Sequence, residues 1–259
     1  PTTVVENGQI TYTFTIENTG PAAVDADAAL TLTDTFTPAL AAPLTVTLNG
    51  ETVPVVKDGY FTDKAIHTMP LPALKKGKNE LLVKAPIGKR VSLENYFLLG
   101  DFGVRVNGCE AVITKKPEKL AFGSVISQGL PFYGANITYK LPLDVTRDGE
   151  LVIRSDLYRG ALIGARLDGK EVGRIVLSPY LLKLPDVKKG AHTLELTLFG
   201  TRQNSFGALH NCSHAKWIGP DYWYSGGISW AYEYQLSDMG ILKSPFIEVY
   251  AEKKKEQNA

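Results

Sequence analysis

Apolar and polar residues alternate along most of this chain. Ile10, Tyr12, Phe14 and Ile16 are separated by threonine, and Leu44, Val46 and Leu48 by Thr45 and Thr47. Leu194, Leu196 and Leu198 are separated by Glu195 and Thr197. A period of two sends one set of side chains to a core and the other to water, which is the signature of half-buried strands. Threonine and aromatic residues suit such a pleated surface. Turn signals punctuate the strands: Asn18-Thr19-Gly20, Asn49-Gly50, Asp58-Gly59, Asn107-Gly108, Asp148-Gly149 and Asp168-Gly169. Such pairs reach the left-handed backbone of tight hairpins at little steric cost. No segment carries a sustained helical stripe. The pattern predicts an all-β protein of two tandem β-sandwich (jelly-roll) domains.

An internal repeat sharpens that division. Leu48-Asn49-Gly50 is followed by Leu71-Pro72, Lys75-Lys76-Gly77, an alternating strand and Gly88-Lys89-Arg90. Leu167-Asp168-Gly169 is followed in the same order by Leu184-Pro185, Lys188-Lys189-Gly190, an alternating strand and Gly200-Thr201-Arg202. The strands upstream also match, from Ile10-Thr11-Tyr12 and from Ile137-Thr138-Tyr139. Self-similarity of this kind predicts two copies of one supersecondary pattern. The boundary is placed near residue 118, in the charged, proline-containing stretch 115–121. Domains are thus expected over 1–118 and 119–250, with a disordered tail over 251–259.

Composition narrows the function classes. The chain has 259 residues, 44% of them hydrophobic, enough for one large domain or two ordinary ones. A formal net charge of +1 argues against nucleic acid as a partner, because phosphate recognition needs a concentrated basic field. No apolar run reaches the roughly 18 residues of a membrane helix, so no membrane insertion is expected. Cys109 and Cys212 are too few for a disulfide framework.

The order Asp168-Gly169, Pro179-Tyr180, then Lys189-Gly190 to Leu194, echoed by Asn49-Gly50 and Gly77-Lys78-Asn79-Glu80-Leu81, resembles the sugar-binding, galactose-binding-like jelly-roll domains of family 2 and rhamnosidase-like bacterial glycoside hydrolases. Segments 92–104, 127–139 and 230–242 are similar to the C-terminal portions of such enzymes. The first forty residues instead resemble the stalk repeats of bacterial surface proteins. The resemblance implies an extracellular or cell-surface location, with polysaccharide or oligosaccharide and a catalytic domain of the same polypeptide as partners. Its hydrolytic carboxylates are expected on a separate domain, so the chain itself is expected not to be an enzyme. A purely structural spacer or docking module is the alternative, and part of a glycosidase active site is a third reading.

Candidate ligand residues cluster late in the chain. Trp217, Trp223 and Tyr224 lie among glycine and proline, where flat aromatic faces can stack on sugar rings, with Asp221 to bond hydroxyls. Arg202, Gln203, Asn204 and His210 lie in the polar stretch 200–214 and could bond hydroxyls too. Trp230, Tyr232 and Tyr234 alternate and are expected to share one buried strand face. His210, Cys212 and His214 lack an evident fourth zinc ligand. Asp25 and Asp27 fall short of a calcium shell. Glu94, Asn95 and Asp101 do not make a convincing carboxylate pair. No catalytic residue, metal or cofactor is therefore expected.

Overall fold

The alternating segments form strands in the computed structural model, which describes residues 9–19, 30–34, 44–86, 96–212 and 227–251. The fold is an all-β sandwich. The chain divides into two compact units, one of residues 1–105 and 111–117 and the other of residues 106–110 and 118–259. No helix among the described residues is long and apolar enough to cross a membrane. Residues 252–259, where a disordered tail is expected, lie outside the described residues.

Between residues 9 and 114, strands numbered in chain order build two sheets. The larger holds β1 (Gln9–Asn18), β3 (Thr45–Leu48), β4 (Glu51–Val53), β6 (Gly77–Pro86), β8 (Gly103–Asn107) and β9 (Glu110–Thr114), in the order β4-β3-β6-β1-β9-β8. The smaller holds β2 (Leu30–Asp34), β5 (His67–Leu71) and β7 (Phe97–Leu99), in the order β5-β2-β7. Val46, Leu48, Leu81 and Val83 from the first sheet meet Met69, Leu71 and Leu98 from the second. Phe14 and Ile16 of β1 pack on the same core, as the alternation predicts.

In unit two, β10 (Ile137–Val145), β13 (Leu162–Leu167), β14 (Lys170–Ile175) and β16 (Gly190–Phe199) form a sheet in the order β10-β16-β13-β14. Facing it, β11 (Gly149–Arg154), β15 (Leu181–Val187) and β18 (Phe246–Tyr250) form a sheet in the order β15-β11-β18. A short pair, β12 (Tyr158–Arg159) and β17 (Gly240–Ile241), forms a separate two-stranded sheet. Leu194, Leu196 and Leu198 are fully buried with Ile163 and Ile175, against Leu151, Ile153 and Leu184. On the outer face, Lys140 and Arg166 flank Glu195, at 3.2 and 4.0 Å, and the Thr138 and Thr197 hydroxyls bond at 2.9 Å. Such exposed pairs add little to stability individually, so the inner face carries the sheet.

The strand order β4-β3-β6-β1 in unit one and β14-β13-β16-β10 in unit two runs through corresponding sequence positions. Leu48 pairs with Leu81, and Leu167 with Leu194. Asn18 pairs with Gly77, and Val145 with Gly190. The hairpin turns match as well. Asn49 and Gly50 have φ of 53° and 83°, and Asp168 and Gly169 have φ of 50° and 78°. Positive φ at both central residues is what a two-residue hairpin needs to follow the right-handed strand twist. Gly149 has a different reason to be glycine: a Cβ there would collide with the carbonyl oxygen of Tyr250 on the neighbouring strand.

Candidate functional site

The described late aromatic residues, Trp230, Tyr232 and Tyr234, meet in a loop cluster of unit two and not on a strand. The main chain over 231–239 has no strand pairing, and Trp230 makes only an isolated bridge with Asn211. Its hydrogen bonds go to the preceding loop at irregular spacing. Ala231 N donates to His210 O at 2.8 Å, Gln235 N to Leu209 O at 2.6 Å, and Cys212 N to Ser229 O at 2.9 Å. Tyr234 N instead reaches Gly108 O at 3.1 Å. Partners on two separate stretches, 209–212 and the turn at Gly108, take the segment out of a ladder, so the expected common buried face does not form. Tyr232 is 76% exposed, whereas Trp230 and Tyr234 are half-buried.

His210 is the centre of this cluster. Its ring lies 4.7 Å from that of Trp230 and 4.9 Å from that of Tyr234. Nδ1 stands 3.0 Å from Ala231 O, and because a carbonyl only accepts, Nδ1 carries the proton. Trp230 in turn meets Tyr232 edge to face, at 6.3 Å and 85°. Tyr234 packs edge-on against Phe132 at 5.3 Å. Burial raises the Tyr234 phenol above its ordinary value, with the nearby Cys109 thiol adding to the effect, so this hydroxyl stays protonated at neutral pH. The result is an exposed tyrosine held beside a fixed tryptophan and a fixed imidazole, with the Glu233 side chain exposed next to it.

The polar candidates divide. Arg202 and Gln203 are exposed at the start of the short helix α1 (Gln203–Phe206). Asn204 is 5% exposed. Its amide donates to Ser237 O at 2.8 Å and accepts from Ser237 N at 2.9 Å, so it anchors the helix rather than presenting an amide to solvent. Ser205 Oγ donates to Phe132 O at 2.7 Å, which ties α1 to the residue that packs on Tyr234. His210 and the start of α1 thus belong to one braced cluster. Trp217, Asp221, Trp223 and Tyr224 lie outside the described residues, as do His214, Glu94, Asn95, Asp25 and Asp27. Asp101 is exposed and paired with Lys116. Among the described residues no group of three His, Cys, Asp or Glu could hold a metal, and Cys109 and Cys212 are free thiols.

A second constellation was not among the candidates. Strand alternation puts His192 on the same face as Leu194, at the rim of the unit-two core. Its Nδ1 lies 2.6 Å from Asp168 Oδ2, and its Nε2 lies 2.8 Å from Lys188 O. Asp168 Oδ1 also accepts from Thr193 N at 2.8 Å. Asp148 accepts from Lys189 N at 2.7 Å and pairs with Lys188 Nζ at 3.1 Å. The Thr193 amide first, and then His192, hold the Asp168 carboxyl below its ordinary value. Asp168 first, and then the Lys188 carbonyl, raise the His192 imidazole. Beside this network lies a shallow groove of about 410 Å³, with Leu167, Val172, Leu184 and Val187 in its floor and Lys188 and His192 on its rim.

Unit one has the same arrangement without the charges. Asn49 Oδ1 accepts from Glu80 N at 2.9 Å, and Asn49 Nδ2 donates to Asn79 Oδ1 at 3.0 Å. Asn79 Nδ2 donates to Lys75 O at 2.9 Å. Asn49, Asn79 and Lys75 thus occupy the places of Asp168, His192 and Lys188. The aligned Lys-Lys-Gly turns were the signal that could have paired Asn79 with His192 in the sequence.

The fold defines the chain as an all-β sandwich protein. No protein-family model matches the sequence, and no curated protein matches it. Among solved structures it is similar to a rhamnosidase from Novosphingobium sp. PP1Y, with a TM-score of 0.33 and 18% sequence identity over 92% of this chain and 22% of that one. The chain therefore spans about a fifth of that protein's length.

Proposed function

We propose that this chain is a non-catalytic accessory region of a larger, secreted or surface-displayed bacterial glycoside hydrolase, and that unit two binds carbohydrate. The observation that carries this reading is the exposed ring of Tyr232, held beside the braced Trp230 and His210. A preorganised aromatic face loses little conformational entropy when it meets the apolar face of a sugar ring. Glu233 beside it, and Arg202 and Gln203 at the start of α1, supply hydroxyl partners. The candidates Trp217, Asp221, Trp223 and Tyr224 fall between His210 and Trp230 in sequence.

The sequence resemblance to galactose-binding-like jelly rolls supports the choice of ligand class. In this reading the two units are copies of one pattern, supported by their common strand order and matching turn contacts. Unit one, with its stalk-like start, then acts as spacer and unit two as the recognition element. Affinity electrophoresis through gels containing a panel of polysaccharides tests the proposal. Retardation on at least one polysaccharide, weakened by Tyr232→Ala, supports it. Unretarded migration on the whole panel leaves a spacer or docking role as the better account.

A further inference from the structure

The Asp168–His192–Lys188 bridge supports an inference independent of sugar binding. Both neighbours of the His192 ring are acceptors: a carboxylate oxygen at Nδ1 and a main-chain carbonyl at Nε2. A neutral imidazole has a single N–H and satisfies one of them; only the imidazolium satisfies both. The corresponding contacts in unit one are made by the amide of Asn79, which does not titrate. We propose that His192 is a proton-operated clamp between the β13–β14 and β15–β16 turns of unit two. Protonated, it holds the Lys188 carbonyl and the Asp168 carboxylate together at the rim of the groove; deprotonated, it releases one of them and loosens that wall.

The charged surroundings favour the closed, protonated state only in part. Asp168 faces His192 directly, and Asp186 lines the same groove. Against them stand Lys170 beside Asp168 and the Lys188–Lys189 pair. Asp148 holds that pair through Lys188 Nζ and Lys189 N. Across the sheet, β10 places the apolar Leu143 opposite His192. Because the folded-state pKa of His192 is raised above its ordinary value of 6.5, the clamp's contribution to stability is full below that value. It is lost as pH rises through the higher folded value.

The test is a proton NMR titration of the full chain from about pH 5 to about pH 9. The sequence has four histidines, and His192→Asn assigns the resonance. The expected result is a His192 midpoint above 6.5, moved down by Asp168→Asn. The Thr193 amide, bonded to Asp168, has an internal control in the Glu80 amide, bonded to Asn49. The ratio of Thr193 to Glu80 exchange protection is expected to fall as pH passes the His192 midpoint, and to become pH-independent in the D168N/H192N double variant, which installs the unit-one residues. A wild-type midpoint at or below the ordinary histidine value, or a wild-type protection ratio that stays constant through the titration, would overturn the proposal. The protection ratio reads on the wild-type chain alone, so the decision stands even where a variant folds poorly.

Discussion

His192 and Asp168 are 24 residues apart in sequence and 2.6 Å apart in the fold, at the place where unit one sets Asn79 against Asn49. The same geometric task, tying a hairpin turn to the start of the next long strand, is met once by neutral amides and once by a carboxylate and an imidazole. Their difference lies in how each responds to its surroundings. The amide pair does not titrate, and the carboxylate–imidazole pair does.

Asn79 is the more deeply set of the two plugs, at 2% exposure. Its amide accepts from Lys75 N at 2.9 Å and donates to Lys75 O and Gly77 O at 2.9 and 3.0 Å. Asn79→Ala removes these together and leaves part-buried main-chain groups unpaired. A loss of about 3 kcal/mol is expected, read as a lower urea midpoint for unit one. Asn79→Asp, which retains the acceptor but not the donor, should recover only part of it.

The acid side of unit two follows from its carboxylates. Asp148 and Asp168 both sit below their ordinary value of 3.8, each because a backbone N–H is aimed at the carboxylate. A lowered folded pKa gives stability that is present above the ordinary value and is lost as pH falls through the folded one. Urea midpoints of unit two are therefore expected to drop as the pH falls below about 4. Asp168→Asn should flatten that drop. Added salt should weaken the effect, since both carboxylates are near water.

The inner and outer faces of β16 should respond differently to truncation. Leu196 is fully buried, and Leu196→Ala is expected to cost about 3 kcal/mol through lost burial and the cavity left behind. Thr197→Ala, one residue along on the outer face, should stay within about 1 kcal/mol. Equilibrium denaturation of the two variants separates them.

Gly149 is held by close approach rather than by an unusual backbone angle. Gly149→Ala puts a methyl group against Tyr250 O, which β11 and β18 can relieve only by parting. A cost of about 2 kcal/mol is expected, accompanied by faster amide exchange in β18.

Much of the fold was legible because a strand's period of two is a local signal. Leu194, Leu196 and Leu198 announce a buried face without reference to any partner. The paired positive-φ residues Asn49-Gly50 and Asp168-Gly169 announce their hairpins in the same local way. What depends on distant partners was not legible. Trp230, Tyr232 and Tyr234 have the spacing of a strand, but their main-chain bonds run to His210, Leu209 and Gly108, and that irregular pairing turns Tyr232 out to solvent. Asn204 reads as a polar loop residue, and only the fold reveals Ser237 as the partner that takes up its amide. The repeat aligns the turns that carry Asp168, Lys188 and His192, but the contact between them emerges only when the two turns are brought together.

In the proposed function, unit two meets carbohydrate through the aromatic cluster around Tyr232. Tyr232 is exposed and makes its one described ring contact with Trp230, so Tyr232→Ala should leave the thermal midpoint of the chain within a few degrees of the parent. The most direct measurement is affinity electrophoresis of the chain and of this variant, side by side, on the same polysaccharide panel. Retardation of the parent is expected on at least one polysaccharide, with roughly a tenfold weaker effect for the variant, as the loss of one stacked aromatic implies. A parent that migrates freely on every polysaccharide, or a folded variant retarded as strongly as the parent, would contradict it.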